Sequence, residues 1–375
     1  MSYNVYQHWD PLKVCIVGKS YGPEFYSFIK NSKARSVMER IAVETEEDYQ
    51  KLIKLLESFG VEILRPYTPS DHTQCMGFNN KIAPPPMTPR DYSAMIGNDF
   101  YFDINDPIER WNSIKGADWP EQMPLDSSSM PDWLVEELAK FDFDFRTYAR
   151  NTFYNTLLDE LSPNCNIIYD QKVNSAMMTR IGKDLYFGTL NYDQDQTKIL
   201  TTQQRRFPNH RCHVVNSGGH SDGTFCPVVP GLIVSLRDIP TYTDTFPDWE
   251  VIYLPGQSWE AVAPFLNLKE KNKGKWWVQG EELNDDFTDF VSTWLDHWVG
   301  YVEETVFDVN MLVIDEKNVV CNNYNETVFK AFDRYGITPH VINFRHRYFW
   351  DGGLHCITSD VHREGTIKDY FPKRG

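Results

Sequence analysis

A thiol stands at Cys356 in the string Trp350-Asp351-Gly352-Gly353-Leu354-His355-Cys356-Ile357-Thr358, directly after two glycines and a histidine. Glycines let backbone and substrate approach closely, at an entropic cost to folding. A thiol there can be reached by a small molecule and becomes a strong nucleophile where its surroundings favour the thiolate. The same string also suits an ordinary turn with a buried cysteine. A second stretch, Gly218-Gly219-His220-Ser221-Asp222-Gly223-Thr224-Phe225, sets a histidine and an aspartate two residues apart. On an extended strand the pair faces one side, which brings a base and a carboxylate to one pocket. A turn with a surface histidine is the plainer reading. A third stretch, Pro89-Arg90-Asp91, lies between Pro84-Pro85-Pro86 and Gly97-Asn98-Asp99 and by itself reads as a turn.

These residues need elements to position them, and the chain alternates helix and strand. Thr45 can cap a helix whose first turn carries Glu46, Glu47 and Asp48, with Tyr49, Leu52, Ile53 and Leu56 on one face. Gly60 stops it and residues 61–64 read as a strand. The same grammar returns at Val328, Phe329, Phe332 and Gly336 before a strand at 341–344, at Leu157, Leu158 and Leu161 before 166–169, and around Ile199 before 212–215. Residues 249–253 make a fifth such strand, with a less obvious helix before it. Five unevenly spaced units predict an α/β protein built from repeats. No glycine-rich phosphate loop follows any of these strands, so nucleotide use has little support. Residues 103–135, rich in proline and serine, read as a long loop, and 269–300 as a second insertion opening on a solvated charged turn. No clear linker divides the chain, so one domain over 1–375 is expected.

Composition narrows the classes. Across 375 residues, 41% are hydrophobic and 14% aromatic, which predicts a folded chain with a large core. The 37 basic and 53 acidic side chains leave −16, which repels phosphates and argues against nucleic-acid binding while suiting solubility or a cationic substrate. Seven scattered cysteines without a C-x-x-C pair argue against a disulfide framework and a zinc knuckle, and for a reducing compartment. Of these, Cys15, Cys165, Cys212 and Cys321 sit in apolar runs as core filler. No apolar run approaches membrane-spanning length, and the first residues lack signal or transit character, so a cytoplasmic location is expected.

Together the three stretches resemble the motifs of the guanidino-modifying (pentein) superfamily, and within it the glycine (arginine:glycine) amidinotransferases. Residues 352–366 are similar to that family's nucleophile segment, His220-Ser221-Asp222-Gly223-Thr224-Phe225 to its His-x-Asp-x-Thr-Phe motif, and Pro89-Arg90-Asp91 with Gly97-Asn98 to its early aspartate motif. Trp9-Asp10-Pro11-Leu12 with Val17-Gly18 resembles its first strand, and residues 310–317 the strand before its last helix. The resemblance runs from about residue 8 to 371. It implies a five-bladed α/β propeller, with pseudo-fivefold units around a central channel. It also implies Cys356 as nucleophile, His220 as general acid and base, and Asp91 and Asp222 as grips on a guanidinium, with Gly353 and His355 among the substrate-binding residues.

Two departures from the family pattern stand out. Where the family places an acid to orient its histidine, this chain has Asn174, which can hydrogen-bond an imidazole but cannot stabilise imidazolium by charge; Asp170 is an alternative. Before Asn310 the family carries small hydroxyl residues, and here Glu303 and Glu304 stand, suiting either a second cationic group or a solvated turn. Arg237 sits near the family's carboxylate-binding arginine, with Arg345 and Arg347 as alternatives. The implied activity is movement of the amidino group of L-arginine to a primary amine such as glycine, through an amidino-cysteine, with release of ornithine. An arginine deiminase or dihydrolase of the same superfamily, and a non-catalytic guanidino binder, are the other readings. No metal or organic cofactor is expected, since no ligand cluster appears and the chemistry needs none; small-molecule substrates are the expected partners, with a homodimer by family analogy only.

Overall fold

The chain's first long helix, α1 (Ser32–Ser58), begins well before Thr45, because Asn31 caps it: the Asn31 side chain accepts from the backbone N–H groups of Lys33 and Ala34. Its buried face runs from Ala34 through Met38, Ile41, Tyr49 and Leu52 to Leu56. Thr45 is therefore an interior helical residue, not a cap, and its hydroxyl accepts from the Trp350 indole at 2.8 Å. The computed structural model describes the chain except residues 1, 76–81, 103–114, 121–129, 141–144, 171–172, 174, 190–194, 237–238, 240, 255–277, 282, 296–308 and 375, and only the backbone of 139–140 and 145–152.

Among the described residues, fifteen strands form five three-stranded sheets, in the orders β15-β1-β2, β3-β4-β5, β6-β7-β8, β9-β10-β11 and β12-β13-β14. The strands are β1 (Leu12–Val17), β2 (Glu62–Leu64), β3 (Ser93–Ile96), β4 (Asp99–Phe102), β5 (Asn166–Tyr169), β6 (Met178–Ile181), β7 (Asp184–Gly188), β8 (Arg211–Val215), β9 (Phe225–Val229), β10 (Leu232–Ser235), β11 (Glu250–Tyr253), β12 (Leu312–Asp315), β13 (Asn318–Cys321), β14 (Thr338–Val341) and β15 (Thr358–Arg363). In each sheet the first-named strand pairs antiparallel with the middle one, and the middle pairs parallel with the third. A parallel partner needs a crossover. Helices supply it: α1; then α2 (Asp132–Lys140) and α3 (Phe145–Leu161); α4 (Gln196–Arg206); the single turn α5 (Tyr242–Thr245); and, after α6 (Asp285–Trp294), α7 (Glu326–Tyr335) in the fifth sheet. This is the five-bladed α/β propeller the resemblance implies.

One end of each sheet is dry and the other wet. β3, β6, β9 and β15 are buried at every residue, whereas β5, β11 and β14 are half-exposed throughout. The dry strands meet each other: Ser93 of β3 bonds Ser359 of β15 at 2.9 Å, and Arg363 of β15 donates to the Val313 carbonyl of β12 at 2.9 Å. They therefore line the centre of the ring.

Several sequence expectations shift. The last strand of the fifth sheet is 338–341, not 341–344, and carries Pro339 paired opposite Val319. Proline is tolerated there because the strand lies at the sheet edge. The loop expected over 103–135 gives way to helix at Asp132. The charged run 269–273 lies outside the described residues, and the segment after it contains α6. His220 and Asp222 do not lie on an extended strand: Ser221–Gly223 is a 3-10 turn, and β9 starts only at Phe225.

Candidate active site

Each inner strand is preceded by a short lead-in turn, and these turns carry the chemistry. Pro89–Asp91 precedes β3, 175–177 precede β6, Ser221–Gly223 precede β9, 309–310 precede β12 and 354–357 precede β15. Hydrogen bonds link all five into a closed ring. The Arg90 Nε donates to the His355 carbonyl at 2.8 Å, and the Ser175 N–H to the Arg90 carbonyl at 3.2 Å. The Ser221 N–H donates to the Ala176 carbonyl at 2.8 Å, and the Asn310 amide to the Asp222 carbonyl at 3.3 Å. The Asn310 Oδ1 then accepts from the backbone N–H groups of His355 and Cys356 at 2.8 and 3.0 Å, which closes the circle. Five equivalent turns from five blades are thus held as one unit.

Within this ring Cys356 is buried, with 1% of its surface exposed, so the thiol is not the open one its glycines suggest. Its sulfur lies 3.5 Å from Asp222 Oδ2 and 3.0 Å from the Asn310 Nδ2. Asp222 Oδ2 also accepts from His355 Nδ1 at 2.8 Å. The other oxygen, Oδ1, is buried and has no hydrogen-bond partner among the described residues. Burial pushes Asp222 up, but the hydrogen bond and charge of His355 and the charges of His220 and Arg90 more than offset it and hold the carboxyl below its usual range. Burial, reinforced by Arg90, lowers His355 to about 4 against the pull of Asp222. At neutral pH the pair is therefore a carboxylate accepting from a neutral imidazole.

His220 stands at the ring's open side, its side chain 37% exposed, with Nδ1 4.0 Å from Asp91 Oδ1. The structure thus brings Cys356, His355, Asp222, His220 and Asp91 to one place. Gly353 is there for a different reason from the one expected: a Cβ on it would sit 2.6 Å from the Asn310 Oδ1. Asn174 and Arg237 lie outside the described residues. Asp170, the alternative to Asn174, pairs with Arg206 at 3.0 Å. Arg345 is engaged by Asp48 and Glu47, and Arg347 hydrogen-bonds Asn343, Asn323 and the Phe344 carbonyl.

Sequence reasoning missed two groups. Asn310 was visible only as the residue before a strand, and Arg90 only as the neighbour of Asp91. Arg90 is fully buried; its Nε reaches the carbonyls on both sides of the nucleophile turn, His355 and Thr358 at 2.9 Å, and its Nη2 lies 3.2 Å from Asp360. Below the turns, Asp360 takes a bidentate pair from Arg180 at 2.7 and 2.8 Å and a further bond from Arg363 at 2.7 Å. Burial alone would raise Asp360, yet Arg180, Arg363 and Arg90 hold it well below the usual carboxylate range. A small cavity of about 10 Å³ lies against Asp222, His355 and His8. Burial pushes Cys15, Cys75, Cys212 and Cys226 up to about 12, so they stay protonated. Among the described residues no group of three or more His, Cys, Asp or Glu side chains is arranged to hold a metal, and no helix is long and apolar enough to cross a membrane.

No family model matches the chain. In sequence it is similar to the mitochondrial glycine amidinotransferase of Xenopus tropicalis, 22% identical over 406 residues that cover 98% of this chain and 84% of that protein. It is equally similar to the L-arginine:L-lysine amidinotransferase of Pseudomonas savastanoi pv. phaseolicola, 22% identical with 98% and 96% covered. In structure it is similar to SxtG, an amidinotransferase from Microseira wollei in the saxitoxin biosynthetic pathway (TM-score 0.62, 18% identity, 98% and 99% covered). The inosamine-phosphate amidinotransferase StrB1 of Streptomyces griseus gives a TM-score of 0.60 at 16% identity, again with 98% and 99% covered. The chain is thus similar in sequence to amidinotransferases over nearly its whole length and shares the fold of SxtG and StrB1.

Proposed function

We propose that the protein is an amidinotransferase that takes the amidino group of L-arginine and passes it to a primary amine through an amidino-cysteine at Cys356. The relatives and neighbours named above are amidinotransferases, one named for glycine and another for L-arginine and L-lysine. The observation that carries the reading is Asp222: a buried carboxylate with one oxygen beside the sulfur and the other without a partner among the described residues. A guanidinium is a planar cation with paired N–H donors, and a carboxylate meets it with paired, charge-assisted hydrogen bonds. Asp222 and Asp91 would hold it with its central carbon in front of the Cys356 sulfur. An incoming cation also neutralises Asp222 and so favours the thiolate beside it.

The thiolate attacks the central carbon and a C–S bond forms. His220 delivers a proton to the departing nitrogen, the C–N bond breaks, and ornithine leaves with the pair of electrons on its amine. A second amine then attacks the amidino carbon, His220 takes its proton, and the C–S bond breaks to restore the thiolate. With glycine as acceptor the product is guanidinoacetate. Seven free cysteines suit a reducing, cytoplasmic setting.

The test is intact-protein mass spectrometry after incubation with L-arginine, with product analysis in the presence and absence of glycine and lysine. One amidino group added at Cys356, with ornithine released and the adduct discharged by an amine, is the expected result. Citrulline with ammonia would point to hydrolysis instead. Full turnover by Cys356→Ala would end the covalent reading.

A further inference from the structure

We infer that Asn310 is a catalytic residue: its amide N–H holds the Cys356 sulfur as the thiolate, while its amide oxygen fixes the turn that carries the sulfur. The inference rests on Cys356 being the nucleophile. Asn310 is fully buried and all four of its bonding directions are used. Oδ1 accepts from the N–H groups of His355 and Cys356, and that decides which end of the amide is oxygen, since an NH₂ there would oppose two donors. Nδ2 must then face the Asp222 carbonyl at 3.3 Å and the sulfur at 3.0 Å. An N–H aimed at sulfur stabilises the charged form over the neutral one.

The charges around the sulfur make such a donor necessary. The Asp222 carboxylate, 3.5 Å away, opposes a second negative charge. His355 is neutral and turned to Asp222. The His220–Asp91 pair stands at the open side, and Arg90 directs its Nε to backbone carbonyls and its Nη2 to Asp360. Asn310 supplies an N–H donor that reaches the sulfur at 3.0 Å. Gly353 belongs to the same device, because any side chain there would push the amide away.

The experiment measures the pH dependence of Cys356 alkylation by iodoacetamide, localised by mass spectrometry. Asn310→Asp keeps an oxygen for the two backbone N–H groups but puts an anionic oxygen at the sulfur. Its alkylation midpoint should rise by about one pH unit or more, which is tenfold less thiolate at neutral pH. Asn310→Ala, which removes the donor without adding charge, should rise less, and Gly353→Ala should move the same way. Near-UV circular dichroism shows which variants fold, and Asn310→Ala carries the reading if Asn310→Asp does not. Midpoints that coincide with that of the unaltered protein overturn the inference. If arginine leaves no adduct on Cys356 but the midpoints move, the role of Asn310 stands and the amidinotransferase reading falls. If the adduct forms and the midpoints coincide, the reverse holds.

Discussion

Two charged networks hold this protein together, and they obey different physics. At the centre, Asp360 binds Arg90, Arg180 and Arg363, and all four side chains are at most 1% exposed. At the rim, Arg345 spans Asp48, Glu47 and Glu44 with nearly a third of its side chain in water. Each network ties strands or helices that are far apart in sequence. In the centre, however, water cannot replace a lost partner, so the desolvation cost of every remaining charge stays uncompensated. At the rim water and salt reach Arg345, Glu44 and Glu47 and can take a partner's place, while the buried Asp48 keeps a second partner in Lys51 at 2.9 Å. The centre therefore fixes how the blades sit, and through Arg90 it fixes the nucleophile turn. The rim fastens α1 to the segment leading to that turn.

The sharpest break is Asp360→Asn, which leaves three buried guanidinium groups without their anion. It should cost about 3–5 kcal/mol in urea unfolding, if it folds at all. A loss below about 1 kcal/mol would mean that the centre behaves like the rim.

Acid comes next. His355, His8 and His346 are all lowered by burial, His355 to about 4 from 6.5. Between those values the unfolded chain binds protons that the folded chain refuses, so stability falls as pH drops through that window and is fully present above it. His355 alone accounts for up to about 3 kcal/mol at its lower end. Urea midpoints at pH 7, 5.5 and 4.5 should decline in that order, and a flat profile would remove these histidines from the account.

Arg345→Met is the milder test, at about 1 kcal/mol from its solvent-reached pairs with Glu44 and Glu47, because Lys51 still pairs with the buried Asp48, and the loss should shrink in high salt. The smallest effect is expected for the unaltered protein moved from low to high salt, about a few tenths of a kcal/mol from the rim pairs. A large salt effect would place the decisive charges outside rather than inside.

The repeated helix-strand units were legible because amphipathic helices and short apolar strands leave their pattern in the chain, as at 49–56 and 166–169. The nucleophile string was legible because glycines beside a histidine and a cysteine are costly unless used. What was not legible depends on contacts distant in sequence. Thr45 looks like a cap until the Trp350 indole is placed against it. The strand at 338–341 hides behind Pro339, which only an edge position tolerates. The placing of His220 and Asp222 at one site was argued from a strand, whereas they flank and lie in a 3-10 turn, with Asp222 bonded to His355 and His220 beside Asp91. Asn310 lies 46 residues before the sulfur it touches, and nothing local marks a buried amide as a sulfur ligand.

The sheet that pairs β15 with β1 joins the last strand of the chain to the first. The other four sheets each draw on one continuous stretch, so they can assemble in order as a nascent chain leaves the ribosome. This one waits for residues 358–363, and the nucleophile lies just ahead of them. A polypeptide stopped short of β15 has neither a closed circle nor a reactive sulfur in place. Chemistry is thereby withheld from every copy until residues 358–363 have been made.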